Sequence, residues 1–130
     1  MRVLLIDDSK TMRGIQRAVL AQFSPVEIEE AGDGQDGLSK AAAFQPDLIL
    51  VDSNMPKMDG VTFVRMLRQT DKNTPVIMVA SESEKSRVVE AIKAGVSNYI
   101  VKPFTPDLLN QRIIETMARR AVVVPVAAAA

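Results

Sequence analysis

The chain has 130 residues, 47% apolar and 25% charged, which is the length of one domain with enough apolar content to bury a core. Its 16 basic and 16 acidic residues cancel, so nothing in the composition points to a sequence-independent grip on nucleic acid or acidic membranes, and no apolar run approaches the ~20 residues that span a bilayer. Cysteine and histidine are both absent, which excludes disulfides, thiolate and imidazole metal ligands, histidine acid–base chemistry and a phosphohistidine on this chain; a reducing cytoplasm is the expected setting.

Val3 to Ile6 forms a short apolar run that stops at two acids, Asp7 and Asp8. The run has the character of a buried strand and is too short for the core of a signal peptide. Ser9 then caps a helix with its apolar stripe at Met12, Ile15, Val19, Leu20 and Phe23, which Ser24-Pro25 ends. Val26 to Glu29 alternates apolar with charged, the pattern of an edge strand. Asp33-Gly34 marks a turn and cap before an alanine-rich helix with Leu38, Ala41, Ala42 and Phe44 facing inward, closed by Pro46.

Leu48 to Val51 is a second fully apolar strand, and it ends at Asp52. Asn54, Pro56 and the Asp59-Gly60 pair force a loop, after which Asp59 caps a helix with Phe63, Val64 and Leu67 inward. Pro75 leads into the strand Val76 to Ala80. Ser81 or Ser83 starts the next helix, with Val88, Val89 and Ile92 expected inward and Gly95 just past its end. Tyr99 to Val101 is the last strand and runs into Lys102-Pro103. Thr105-Pro106-Asp107 opens a final helix that buries Leu109, Ile113 and Met117.

Five strands alternating with five helices predict an α/β fold, a doubly wound parallel sheet with helices on both faces. The domain is expected over residues 1–120. The tail 121–130, A-V-V-V-P-V-A-A-A-A, belongs to none of these units and reads as disordered, as a linker remnant or as a surface segment.

The strand ends carry the chemistry. Asp7 and Asp8 follow the first strand, Asp52 the third, Ala80-Ser81 the fourth and Lys102 the fifth. Each acid alone reads as well as a turn former or helix cap. In a doubly wound sheet, however, these ends share the edge where ligands bind, so three carboxylates and an ammonium converge there. Crowded carboxylates are relieved by a proton or a cation. Oxygen donors without histidine or cysteine favour a hard ion, Mg2+ above all where phosphate chemistry follows, with Mn2+ as a substitute.

The motifs I-D-D-S-K-T-M-R (6–13), V-D-S-N-M-P-K-M-D-G (51–60) and N-Y-I-V-K-P-F (98–104) resemble those of the response-regulator receiver family, its single-domain chemotaxis members especially. The resemblance covers residues 2–118. It implies the flavodoxin-like strand order 2-1-3-4-5. It assigns Asp52 as phosphoacceptor, a nucleophile toward the phosphohistidine of a sensor histidine kinase or phosphotransfer protein. It assigns Asp8, Asp52 and the Asn54 carbonyl as Mg2+ ligands, with Asp7 acting through a water. Lys102 then contacts a phosphoryl oxygen, Tyr99 is the aromatic residue that moves on activation, and the bond before Pro103 is cis. The output would pass to a protein target on the face of the fourth helix, fifth strand and fifth helix, where Lys85, Arg87, Glu90, Lys93 and Tyr99 fall. No direct contact with nucleic acid or membrane is implied.

Two positions depart from the family pattern. Ala80 stands where a threonine or serine hydroxyl normally meets the phosphoryl group, and strand alternation aims the neighbouring Ser81 away. Ser53 stands where a bulkier residue is common. The main reading is a phosphorylation switch with weakened coupling, not an enzyme beyond its own phosphotransfer and slow self-dephosphorylation. The alternatives are a receiver-like interaction module that no longer switches and, further off, a Mg2+-dependent phosphatase. Flavin binding is discounted, because acids stand where a phosphate-cradling loop would follow the first strand.

Overall fold

A computed structural model describes residues 1–129, with side chains described through Arg119. Five strands, β1 (Arg2–Ile6), β2 (Glu27–Ala31), β3 (Leu48–Asp52), β4 (Val76–Ser81) and β5 (Asn98–Lys102), pair in parallel in the order β2-β1-β3-β4-β5. Between them run α1 (Lys10–Leu20), α2 (Gly34–Phe44), α3 (Gly60–Leu67) and α4 (Val88–Ala94), and α5 (Pro106–Ala129) follows β5. This is the doubly wound fold expected from the alternation of elements.

Alternate residues of the central strands feed two cores. Leu4, Ile6, Ile49, Val51, Val76 and Met78 meet residues of α2, α3 and α4 on one face. Val3, Leu5, Leu48, Leu50, Ile77 and Val79 meet Val19 and Leu20 of α1 and Leu109 and Ile113 of α5 on the other. A strand covered on both sides has no wet face, which is why these segments read as unbroken apolar runs. β2 lies at the sheet edge, and its alternate residues are exposed. The four sequence-predicted caps all accept from a helix N–H three residues on: Ser9 from Met12 (3.1 Å), Asp33 from Asp36 (2.8 Å), Asp59 from Thr62 (2.8 Å) and Thr105 from Leu108 (3.1 Å). Each such bond contributes about 1 kcal/mol.

Several side-chain expectations are corrected. Val89 and Ile92 are 60% and 59% exposed, and Ala91 is the buried residue of α4. Positions 88 and 91 define a helical face as well as 88 and 92 do, and the small Ala91 lets the short helix approach the sheet closely. The helix also begins late. Ser81 is followed by a 3-10 segment, Glu82–Arg87, before α4 starts at Val88. Ile15 of α1 faces solvent, and Gln16, one position on, is buried in its place. Ala42 of α2 is exposed as well. Helix α5 continues through Ala129, while the packing of the tail lies outside the described residues. Among the described residues no helix is long and apolar enough to cross a membrane.

Candidate functional site: an acidic pocket at the carboxyl edge of the sheet

The parallel register sets the site. Ile6 lies opposite Val51, Asp52 opposite Val79 and Ser81 opposite Lys102, so the strands end at one level. Asp7 continues past β1, its N–H donating to the Ala31 carbonyl at the end of β2 (3.0 Å). Asp7, Asp8 and Asp52 place carboxylate oxygens within 4.8 Å of one another. Asp7 and Asp52 are buried, 1% and 4% exposed, while Asp8 faces solvent.

Lys102 closes the pocket from the end of β5, its Nζ 3.0 Å from Asp52 Oδ1. This ion pair is the one contact of the buried Asp52 Oδ1 among the described residues, and the buried Asp7 Oδ2 has no hydrogen-bond partner there. Burial pushes the Asp52 carboxyl up to about 6; Asp7 and Asp8 add to this and the Lys102 ammonium opposes it. Burial raises Asp7 in the same way, against the Ser9 N–H that Asp7 Oδ1 accepts (2.8 Å). The partnerless Asp7 Oδ2, the Asp52 carboxylate beside Lys102 and a third carboxylate at the mouth form a donor set that fits a divalent oxygen-seeking cation.

The other candidate residues lie on the loop after β3 and on β4 and β5. Asn54 is exposed on the loop two residues beyond Asp52, and the Lys102–Pro103 peptide is cis. Ala80 is buried at the end of β4 and, with Ser53, Met78, Glu84, Arg87, Val88 and Tyr99 among others, lines a cavity of about 10 Å3, room for about one water. Tyr99 is half-buried against the core on that side of the sheet. Ser81 is engaged elsewhere. The Glu84 carboxylate accepts from both its N–H (3.0 Å) and its hydroxyl (2.7 Å), and these bonds outweigh partial burial to hold Glu84 below the usual carboxylate range. Arg87 is tied to Asp59 (3.1 Å) and Glu90 (3.6 Å), and the exposed Val89 and Ile92 extend the outer surface of α4.

Two contributors were not singled out from sequence. Glu84 binds Ser81 three residues back, a spacing visible as S-x-x-E. Gly60 packs against the backbone of Asp52 and Ser53, an approach that only the folded chain reveals.

The family model for the response regulator receiver domain matches residues 3–114. The chain belongs to the response-regulator receiver family. The chemotaxis protein CheY1 of Helicobacter pylori is 40% identical over 116 residues, covering 87% of this chain and 94% of that protein. The chemotaxis protein CheY of Pseudomonas aeruginosa is 36% identical over 121 residues, covering 92% and 98%. Among solved structures, chemotaxis protein CheY4 of Vibrio cholerae superposes with a TM-score of 0.81 at 34% identity, over 88% of this chain and 97% of that one. The receiver is thus a CheY-like module of two-component signalling.

Proposed function

We propose that this receiver takes a phosphoryl group on Asp52 from the phosphohistidine of a partner kinase or phosphotransfer protein. The observation that carries this reading is the buried Asp52 carboxylate, set within 4.8 Å of the Asp7 and Asp8 carboxylates and 3.0 Å from the Lys102 ammonium. An Asp52 oxygen attacks phosphorus, the phosphorus–nitrogen bond breaks, the imidazole leaves with the bonding pair, and an acyl phosphate results. Lys102, a compact point charge already within 3.0 Å of Asp52, turns to a phosphoryl oxygen. Asp7, Asp8, Asp52 and the Asn54 carbonyl would hold Mg2+, with Asp7 acting through a water. When bound, Mg2+ offsets the repulsion between carboxylate and phosphoryl oxygens.

The test is intact-mass spectrometry after incubation with acetyl phosphate, with and without Mg2+, alongside Asp52→Asn. The expected result is one added phosphoryl group that requires Mg2+ and is absent from the variant. Wild type that neither gains the group nor binds a beryllofluoride complex would sink the reading.

A second reading, an interaction module that no longer switches, draws on Ala80 and on the Ser81 hydroxyl being held by Glu84. We place the receiver between the two: Asp52 is phosphorylated, but its coupling to Tyr99 is weak because no free hydroxyl on β4 faces the phosphoryl group. Ala80→Thr adds one beside a cavity with room for about one water. The expected outcome is a larger beryllofluoride-induced change in the NMR signals of Tyr99 and α4 than in wild type. An equal or smaller change refutes weak coupling at Ala80.

A further inference from the structure

The acidic pair after β1 is held from behind by a charged linkage that spans three elements. Arg13, in the second turn of α1, donates from Nη1 to the Asp7 carbonyl and from Nε to Glu30 Oε1 (2.7 Å). Glu30 is fixed in turn: Arg17 Nε reaches its Oε2 (2.8 Å), and Lys40 of α2 donates to its backbone carbonyl. The Arg13 and Glu30 side chains are only 17% and 30% exposed. A guanidinium bound through both Nε and Nη1 has a fixed plane, unlike a surface arginine that samples many rotamers.

The Asp7 carbonyl and the Asp8 N–H belong to one planar peptide. Fixing the carbonyl direction therefore fixes the plane from which Asp8 projects. The exposed Asp8 carboxylate lies within 4.8 Å of the Asp7 and Asp52 carboxylates, and that peptide sets the point from which its side chain starts.

We infer that Arg13, anchored by Glu30, is a positioning residue that sets the Asp7–Asp8 peptide so that the Asp8 carboxylate joins Asp52 and Asp7, whose own carboxylate the Ser9 N–H holds, in cation-binding geometry. The inference rests on the reading of the acidic cluster as a Mg2+ site. Electrostatics and positioning give opposite signs here. Arg13 is a positive charge beside a cation site, so deleting it for charge alone would tighten Mg2+ binding. Deleting it as a positioning group weakens binding, as loss of the groups that orient metal ligands commonly does by ten- to a hundred-fold.

The experiment is a calorimetric Mg2+ titration of the full chain as wild type, Arg13→Gln, Arg13→Lys and Arg17→Gln. Arg17→Gln removes one positive charge from Glu30 without touching Asp7, and Glu30 keeps Arg13 on Oε1 and Lys40 on its backbone carbonyl. Arg13→Gln is expected to weaken Mg2+ binding about tenfold, Arg13→Lys to weaken it despite the retained charge, and Arg17→Gln to stay within about twofold of wild type or to tighten. Binding in Arg13→Gln as tight as wild type, or tighter, overturns the inference, as does equal weakening in Arg17→Gln. If Arg13→Gln does not fold, the comparison of Arg13→Lys with Arg17→Gln decides in the same way. A wild-type chain with no Mg2+ binding overturns the metal reading itself, an outcome distinct from any pattern among the variants.

Discussion

Asp52→Asn should abolish phosphoryl transfer and, without divalent cations, make the receiver more stable. Burial lifts the Asp52 carboxyl from 3.8 to about 6, with Asp7 and Asp8 adding and Lys102 opposing. A carboxyl with a raised folded-state pKa binds more protons folded than unfolded across that window. The Asp52 contribution to stability is therefore most favourable below about pH 4, falls as pH rises toward 6 and levels off above it, while carboxyls held below their usual range, Glu84, Asp59 and Asp71, contribute in the opposite sense at acid pH. Two units at about 1.4 kcal/mol each place the cost near 3 kcal/mol at neutral pH. Asparagine keeps the shape and carries no charge, so the variant should recover up to about 3 kcal/mol, a net figure that already includes the Lys102 attraction. Urea unfolding in chelator at pH 7.5 and at pH 4 checks this. The gain should be present at the higher pH and nearly absent at the lower. A variant no more stable than wild type at pH 7.5, or equally favoured at both, would contradict the account. Added Mg2+ should narrow the difference by stabilising wild type more than the variant, which lacks one of the three carboxylates, since binding to the folded state adds to its stability.

The same physics governs what could be read without coordinates. The central strands were legible because burial on both faces makes them continuous apolar runs, and β2 because one of its faces is wet. Asp7, Asp8, Asp52 and Lys102 stood out because charge at the end of an apolar strand is costly unless something uses it. The face of α4 was not legible. Val88, Val89, Ala91 and Ile92 satisfy two helical stripes, and apolarity favours the pair containing Ile92, whereas packing chose the smaller Ala91. Ile15 was misplaced for a related reason: the buried stripe of α1 passes through a glutamine, Gln16. The linkage from Asp7 through Arg13 to Glu30 joins residues 6 and then 17 apart in sequence by side-chain geometry alone. No periodicity marks such a contact.

Gly60→Ala should be the most disruptive small substitution near the site. An added Cβ would lie 2.5 Å from the Asp52 carbonyl oxygen and 2.9 Å from the Ser53 Cα, both backbone atoms at the end of β3. Neither can rotate away. The Gly60 N–H also donates to the Ser53 carbonyl (3.0 Å), and the Ser53 N–H to Val79 (2.9 Å), so the α3 start, the loop and the sheet edge form one bonded unit. Relief requires shifting the segment that carries Asp52. Overpacking of this kind costs about 1–3 kcal/mol, and with backbone on both sides the upper end applies. The better helix propensity of alanine offsets at most about 1 kcal/mol. Gly14→Ala is the matched control. Gly14 lies within α1, and a Cβ added there would meet nothing within 4 Å, so the same change should stabilise by about 0.5–1 kcal/mol. Denaturant unfolding of the pair tests the sign, and the rate of phosphoryl gain from acetyl phosphate tests the displacement. Gly60→Ala should be destabilised by about 2–3 kcal/mol and slowed at least tenfold even where it remains folded, because small shifts of a reacting atom carry large rate penalties. Equal stability effects at the two glycines would mean that the contact between α3 and Asp52 yields freely. A folded Gly60→Ala with the wild-type rate would mean that the position of Asp52 does not depend on it.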